Sequence, residues 1–284
     1  MIEPMPRDPQ DTRQFGLEAG QLVARFFMHT EDLHWGLWPD DLTVNLPNMR
    51  EAQRRHSQLI LEHIPPDTHT ILDVGGGSGQ FAEQLVEQGY AVDVVSPSEH
   101  LAQRISERLP EQSHVYVSRF EDVVPRQSYD LVLFSESFQY IKLDAGMARI
   151  EACTRPGSHV LVCDYFRMGN PGKPPVGGGH RWDKVEAALQ GQPLELLSQV
   201  DVTSEAAPTC QLLGDFIDEV AEPMRDLAGE CMTRRHPLVT RLLGWTLRKK
   251  LTKLDAKYFS GRFSRESFIE HFTYQLLLWR RTGD

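Results

Sequence analysis

The feature that most constrains this chain is a run of glycines between an apolar segment and an amphipathic one. Residues 71–81 read I-L-D-V-G-G-G-S-G-Q-F. Glycine adopts positive φ at little cost and lets a second molecule approach the backbone closely. A glycine turn that joins a strand to a helix is typical of α/β proteins that bind a ligand at the N-terminus of that helix.

The spacing of the glycines disfavours a dinucleotide site and excludes two other familiar ligand sites. A dinucleotide site needs G-x-G-x-x-G, and counting from Gly75 places Gln80 where the third glycine is required. A P-loop needs a Gly-Lys-Ser/Thr ending, which does not follow here. The hydrolase elbow G-x-S-x-G also fails, because Gln80 stands two positions after Ser78. The spacing actually observed is an acidic residue followed by glycines at every second position, Asp73, Gly75, Gly77 and Gly79.

From residue 70 onward, apolar runs alternate with amphipathic segments. The runs 131–134 and 160–162 are continuously apolar, as expected of strands that are buried on both faces. Strands and helices that alternate at this spacing predict a parallel sheet with helices on both faces, a doubly wound α/β fold. The predicted strands are 70–74, 90–95, 115–117, 129–134, 158–165, 195–203 and 273–279, and the predicted helices are 14–28, 48–63, 79–88, 98–109, 143–153, 182–190 and parts of 209–258.

Charge and cysteine usage exclude several classes of function. The net charge of −10 disfavours nucleic acid as a partner and suits a neutral or cationic small molecule. No run of about 18 apolar residues occurs, so no stable membrane insertion is expected. The four cysteines form no C-x-x-C pair, so neither a disulfide framework nor a metal site is predicted. The acids and prolines of residues 1–8 differ from a signal peptide, and a cytoplasmic location is expected.

Three segments together resemble the class I S-adenosylmethionine-dependent methyltransferases. The first, L-D-V-G-G-G-S-G at 72–79, is similar to the acidic residue and G-x-G-x-G of that superfamily's first motif. The second, S-Y-D-L-V-L-F at 128–134, precedes the exit of the fourth strand, and the third, T-R-P-G-S at 154–158, is similar to the turn before the fifth. The resemblance spans about residues 70–165.

This resemblance implies a seven-stranded, mostly parallel, Rossmann-like sheet with an antiparallel edge and a helical cap. The last two strands would form that edge. The domain division that follows is an N-terminal helical cap or lid at 1–66, a cofactor-binding core at 67–203, a helical cap insertion at 204–268 and the final strand of the core at 269–284.

The resemblance also implies which residues hold S-adenosyl-L-methionine. Asp73 would hold the methionine end of the cofactor, and the glycines would let the main chain touch it, with the helix N-terminus facing its carboxylate. Ser96 stands where the superfamily has an acid for the ribose hydroxyls, and a hydroxyl binds them more weakly. The full set of cofactor candidates is Asp73, Gly75, Gly76, Gly77, Gly79, Ser96, Pro97, Phe120, Glu121, Ser135 and Trp35.

Catalytic candidates lie where the fourth and fifth strands end, because ligands of open α/β sheets bind beyond the carboxyl ends of the strands. Glu136 follows the fourth strand and would face the sulfonium or a cationic substrate, although a helix-capping role explains a carboxylate there equally well. Tyr140 would hydrogen-bond the nucleophile. His180 follows three glycines and is a candidate base, because histidine is the residue type best suited to exchange a proton near neutral pH.

A further candidate lies in the segment L-H-W-G-L-W at 33–38, which is similar to the lid segment H-x-G-x-W of tocopherol, sarcosine and related small-molecule methyltransferases. His34 would belong to the catalytic group. Trp35 and Trp38 would close over the sulfonium or a substrate amine through cation–π contact, or would act as a hydrophobic staple.

The sequence thus predicts a methyltransferase for a small, partly apolar molecule, with O- or N-methylation favoured. Ser96-Pro97-Ser98 also resembles the cyclopropane fatty acid synthases, but these carry an E-H pair where this chain has Gln139-Tyr140. C-methylation or cyclopropane-type chemistry on a lipid or isoprenoid is the alternative that this resemblance leaves open. A non-catalytic cofactor-binding module is the alternative from another class, since two positions depart from the superfamily's pattern. Ser96 replaces the acid for the ribose hydroxyls, and Arg119 replaces the acid that commonly faces the adenine amino group. The sequence predicts no oligomeric state.

Overall fold

The structure is a computed structural model, and it describes residues 31–283 with gaps. The positions outside the description are residues 1–30, 33, 239, 242–245, 247, 250, 251, 253, 254, 256–258, 260 and 284. The helix predicted at 14–28 lies outside the described residues.

The described elements follow the predicted alternation closely. Short 3-10 turns lie at Leu46–Asn48, Phe120–Asp122 and Phe138–Tyr140. The strands are β1 (Thr70–Val74), β2 (Ala91–Val95), β3 (Val115–Tyr116), β4 (Leu131–Ser135), β5 (His159–Arg167), β6 (Leu194–Asp201) and β7 (Phe272–Arg281). The helices are α1 (Met49–Glu62), α2 (Gln80–Glu87), α3 (Glu99–Arg108), α4 (Leu143–Cys153), α5 (Trp182–Leu189), α6 (Thr203–Phe216), α7 (Glu222–Arg235) and α8 (Arg265–His271), with a π-helical turn at Ile217–Ala221 between α6 and α7.

The seven strands form one sheet in the order β3-β2-β1-β4-β5-β7-β6. Strands β1 to β5 pair in parallel, whereas β7 runs antiparallel to both β5 and β6. This confirms the predicted doubly wound, mostly parallel sheet with an antiparallel edge. Strand β7 lies one position in from the edge of the sheet. Strand β6 forms the edge itself, and its residues are exposed or half-buried.

Apolar cores cover both faces of this sheet. Neighbouring residues of β1 separate to the two sides, Ile71 into one buried cluster and Leu72 into the other, as the alternation of side chains along a strand requires. Burying each face under helices accounts for the continuously apolar runs of β4 and β5.

The carboxyl ends of β1 and β4 lie side by side, which positions the site. Val74 is paired with Phe134, and the hydroxyl of Ser137, just after β4, donates to the carbonyl of Val74 at the end of β1. The glycine turn and the residues that follow β4 are therefore neighbours.

Helices α6 and α7 lie in the chain between β6 and β7, and α1 lies before β1. The exact domain boundaries 1–66, 67–203, 204–268 and 269–284 stay predictions. Among the described residues, we find no helix with the length and apolarity needed to cross a bilayer.

Candidate active site

Asp73 and the glycine turn form the first part of the site. Asp73 is the penultimate residue of β1 and is buried, and its Oδ2 has no hydrogen-bond partner among the described residues. Burial raises the pKa of this carboxyl to about 7. A buried carboxylate oxygen without a partner is costly, so this atom requires a cation or a hydrogen-bond donor.

The glycines of the turn are required by close contacts as well as by backbone conformation. A Cβ at Gly76 would lie 2.5 Å from Val94 Cγ1 and 2.9 Å from Asp73 Oδ2. A Cβ at Gly75 would lie 2.6 Å from the Cβ of Ser137. At Gly77 the φ of +53° excludes most other residues, but a Cβ there would meet no atom within 4 Å, so this part of the backbone faces open space.

These features fit the methionine end of S-adenosylmethionine. An ammonium group would satisfy Asp73 Oδ2, and the open backbone at Gly77 would admit the ligand. Gly79, with φ of +82°, is the N-cap of α2, so unpaired N–H groups of that helix face the same side as the turn and suit a carboxylate.

The residues predicted near the ribose and adenine are placed as follows. Ser96 follows β2 and is buried, with its Oγ 3.5 Å from the carbonyl oxygen of Ser98, whereas Pro97 is exposed. Phe120 is buried and packs edge-to-face on Phe134. Glu121 accepts a hydrogen bond from the backbone N–H of Lys142 at 2.9 Å. Their cofactor roles stay predictions.

Asp93 has a structural role. Inside β2 its buried carboxylate accepts hydrogen bonds from Arg126, from the hydroxyl of Tyr129 and from the N–H of His114. These bonds join β2 to the segments before β3 and β4.

Glu136 is the centre of the second part of the site. It directly follows β4 and has φ of +51°, the one positive φ outside glycine among the described residues. Such a conformation costs of order 1–3 kcal/mol in a non-glycine residue and is found preferentially at functional sites. Its Oε1 accepts two hydrogen bonds, from the N–H of Trp35 at 2.6 Å and from the hydroxyl of Tyr274 at 2.7 Å.

Two histidines adjoin this carboxylate. His56 on the buried face of α1 places its Nε2 2.9 Å from the Tyr274 oxygen and 3.4 Å from Cys163 Sγ. His34 stacks on His56 with 4.4 Å between ring centroids. One side-chain donor atom from each of His34, His56 and Glu136 lies within 4.8 Å of the others, and we call these three residues the His-His-Glu cluster.

The electrostatics of the cluster reflect its burial. Removal from water raises the pKa of Glu136 to about 8, although the hydrogen bonds from Tyr274 and Trp35 act in the opposite direction. Burial lowers the pKa of His56 well below its ordinary value, so this ring is neutral. Burial also raises the pKa of the neighbouring Tyr274 hydroxyl, which stays protonated.

The remaining predicted residues lie around the cluster at different depths. Trp35 donates its N–H to Glu136, and its ring packs on Tyr165 and Phe268. Ser135 ends β4 and is half-buried, one residue before Glu136. His180 places its Nε2 3.1 Å from the carbonyl oxygen of Phe138. Tyr140 has a side chain that is 73% exposed. The geometry thus brings His34, Trp35 and Glu136 together, and neither His180 nor Tyr140 is a member of the His-His-Glu cluster.

Trp38 acts as a hydrophobic staple. It is buried against Met49 and Ala52 of α1, and its indole N–H donates to Thr209 Oγ1 of α6 at 2.9 Å.

The sequence analysis missed His56 and Tyr274. One signal for His56 was available, because it lies on the apolar face of the helix predicted at 48–63, where a titratable residue is unusual. Tyr274 carried no comparable signal, since tyrosine is common in strands.

Residues just before the cluster attach the N-terminal segment to the cofactor turn. Gln80, the first residue of α2, donates from its Nε2 to Asp32 Oδ2 at 2.9 Å. Glu31 forms ion pairs with Arg104 and Arg108 of α3. Gln53 of α1 donates to the carbonyl of His34 at 2.7 Å. The segment that carries His34 is thereby fixed over the carboxyl edge of the sheet.

Residues 48–198 match a family model described as a methyltransferase domain. A search of curated protein sequences found no significant match.

Solved structures give the same fold at low sequence identity. The geranyl diphosphate C-methyltransferase of Streptomyces coelicolor A3(2), solved with Mg²⁺, geranyl diphosphate and S-adenosyl-L-homocysteine, aligns with a TM-score of 0.67 at 14% identity over 98% of this chain and 100% of its own. A putative sarcosine dimethylglycine methyltransferase of Galdieria sulphuraria also reaches 0.67 at 14% identity, over 93% and 98%. The [4+2]-cyclase SpnF reaches 0.66 at 18% identity, over 100% and 99%.

Proposed function

Because this chain belongs to the methyltransferase-domain family, we propose that it transfers a methyl group from S-adenosylmethionine to an oxygen or nitrogen of a small, partly apolar molecule. The observation that carries the proposal is the unpartnered Oδ2 of Asp73 beside the close-packed glycine turn. The next strand exit supplies the His-His-Glu cluster, so a cofactor site and a polar acceptor site are adjacent.

The chemistry assigns limited tasks to the protein. When bound, S-adenosylmethionine supplies a methyl group to which a lone pair of the acceptor forms a bond, while the carbon–sulfur pair returns to sulfur and leaves S-adenosylhomocysteine. The chain's own residues must align the acceptor in line with that bond and handle the proton of a hydroxyl or amine acceptor. We assign the handling of this proton to the buried polar atoms of Glu136 and His34.

The surroundings of the cluster favour an acceptor with apolar surface. Aromatic rings of Trp35, Tyr165, Phe268 and Phe272 pack against one another beside Glu136. Enclosed, mostly apolar sites with a few placed polar groups are typical of small-molecule binding. One structural neighbour was solved with geranyl diphosphate, which is a small molecule as well.

C-methylation is the second candidate. Several of the neighbouring structures are geranyl diphosphate methyltransferases. A carboxylate next to the transferred carbon would equally accept a proton released after C-methylation. The expected cytoplasmic location and the roles of His180 and Tyr140 in the acceptor site stay predictions.

The test measures transfer of a labelled methyl group from S-adenosylmethionine to panels of small phenols, alcohols, amines and isoprenoids. We expect turnover with at least one class, and a loss of at least about a hundredfold in Glu136→Gln, which keeps the shape of the side chain but cannot accept a proton. The control is Glu62→Gln at the far end of α1. Turnover unaffected by Glu136→Gln would exclude the cluster as the acceptor site.

A further inference from the structure

The His-His-Glu cluster has an unusual hydrogen-bonding pattern, in which one nitrogen of each histidine is satisfied and the other is not. His34 Nε2 and His56 Nδ1 are both buried and have no hydrogen-bond partner among the described residues. His56 is fully buried. Buried polar atoms are almost always paired in folded proteins, so two such atoms in stacked rings call for a ligand.

The partners of the other two nitrogens identify which atoms hold a proton. His34 Nδ1 lies 2.9 Å from the carbonyl oxygen of Trp35, which can only accept, so Nδ1 carries the hydrogen. The Tyr274 hydroxyl donates its hydrogen to Glu136 Oε1, so its oxygen accepts from His56 Nε2. With these hydrogens placed, His34 Nε2 and His56 Nδ1 present lone pairs, and His34 Nε2 does so 3.9 Å from Asp32 Oδ2, a carboxylate that would also attract a cation.

A metal ion is the ligand that this pattern suits. Histidines that bind a metal donate their second N–H to a carbonyl, carboxylate or similar acceptor, which fixes the tautomer and the ring orientation. Both rings here have such an acceptor, the Trp35 carbonyl and the Tyr274 hydroxyl. Glu136 is oriented in the same way, because both of its hydrogen bonds are made by Oε1.

The distances agree with a site that closes on its ion. One donor atom from each residue lies within 4.8 Å of those of the other two, whereas ligands at 2.0–2.2 Å from tetrahedral zinc stand about 3.3–3.6 Å apart. Binding of an ion therefore requires the three side chains to move closer together. Imidazole and carboxylate donors together select zinc and similar divalent transition ions over magnesium or calcium.

We propose that His34, His56 and Glu136 form a binding site for one divalent transition-metal ion, with zinc as the reference ion. Three protein ligands leave a fourth position open, as in catalytic zinc sites. The role of this ion in methyl transfer rests on the proposed function. An acceptor oxygen or nitrogen would occupy the open position, and its proton, made more acidic by the ion, would leave to solvent.

The experiment uses the full-length chain without a histidine tag, stripped with a chelator and dialysed, and titrated with Zn²⁺ by calorimetry. We expect one ion per chain at micromolar affinity or tighter. Titration with Co²⁺ gives a second readout, because a four- or five-coordinate cobalt centre absorbs visible light far more strongly than hydrated Co²⁺.

The variants His34→Ala and Glu136→Gln should each abolish this stoichiometric binding and the cobalt absorption. The matched controls His69→Ala and Cys231→Ser, which remove an exposed histidine and an exposed cysteine elsewhere, should leave both unchanged. Absence of one-to-one binding, or binding that survives in His34→Ala and Glu136→Gln, would overturn the proposal. S-adenosylhomocysteine binding by the stripped protein, measured in parallel, separates this outcome from failure of the proposed function.

Discussion

At the scale of single residues, the account depends on how closely the glycine turn packs. A Cβ on Gly76 would crowd both Val94 Cγ1 and Asp73 Oδ2, so the turn packs directly against the buried carboxylate. A single methyl group at this position must displace either a strand residue or the atom that we assign to the cofactor.

Gly76→Ala should therefore weaken S-adenosylhomocysteine binding by at least tenfold, because its Cβ would lie 2.5 Å from Val94 Cγ1. The control is Gly229→Ala in α7, where a Cβ meets nothing within 4 Å. Calorimetric titration of both variants checks this. Equal affinity in the two would show that the turn does not hold the cofactor.

Asp73 predicts a pH dependence of cofactor binding. Burial raises its pKa to about 7, and only the ionised carboxylate pairs with the cofactor ammonium. The affinity for S-adenosylhomocysteine should thus fall about tenfold as the pH is lowered from 8 to 6, since the ionised fraction falls by that factor. Measurements across this range should give a flatter profile in Asp73→Asn, and a wild-type affinity independent of pH would contradict the assignment.

The same Asp73 pKa shift affects stability with the opposite sign. Between pH 3.8, the ordinary pKa of an aspartate, and about pH 7, the folded state binds a proton that the unfolded state has lost. This residue's contribution to the free energy of unfolding is full below about pH 4 and declines as the pH rises to 7. Bound cofactor would offset that decline.

Residues of the cofactor turn were predictable from sequence, whereas half of the acceptor site was not. Asp73 and its glycines are contiguous, and their spacing alone separates them from nucleotide-binding turns. His56 and Tyr274 are 218 residues apart and meet through tertiary packing. Trp35 was predicted for its ring, but its backbone N–H makes the bond to Glu136, and main-chain groups leave no trace in the residue type.

At the scale of elements, the N-terminal segment and α2 depend on each other. Gln80, which the sequence singled out only because it is not glycine, holds Asp32 in front of the cofactor turn. The segment 31–38 thereby spans from α3 to α6, and it brings His34 and Trp35 to the exit of β4.

Gln80→Glu should loosen this attachment, because two carboxylates would face each other where an amide now donates at 2.9 Å. We expect S-adenosylhomocysteine affinity to fall several-fold, with partial recovery at high salt as the repulsion is screened. Gln88→Glu, the same charge change at the exposed end of α2, should have no effect. Equal affinities in the two variants would show that the contact between Gln80 and Asp32 does not support cofactor binding.

At the scale of the whole molecule, the sheet was predictable because strand and helix periodicities differ and alternate regularly along the chain. Boundaries of β1 and α4 agree to the residue, at Thr70–Val74 and Leu143–Cys153. The order of the last strands in the sheet is harder to predict from local sequence patterns. Placing β7 between β5 and β6 depends on pairing between segments that are more than 100 residues apart, such as Cys163 with Leu276.

The most direct test of the central claim is calorimetric titration of the full-length wild-type chain with S-adenosylhomocysteine. The account predicts one site per chain with a dissociation constant in the micromolar range or tighter, and a raised melting temperature in the presence of the ligand. No binding heat and no change in melting temperature, from protein that unfolds cooperatively, would contradict it.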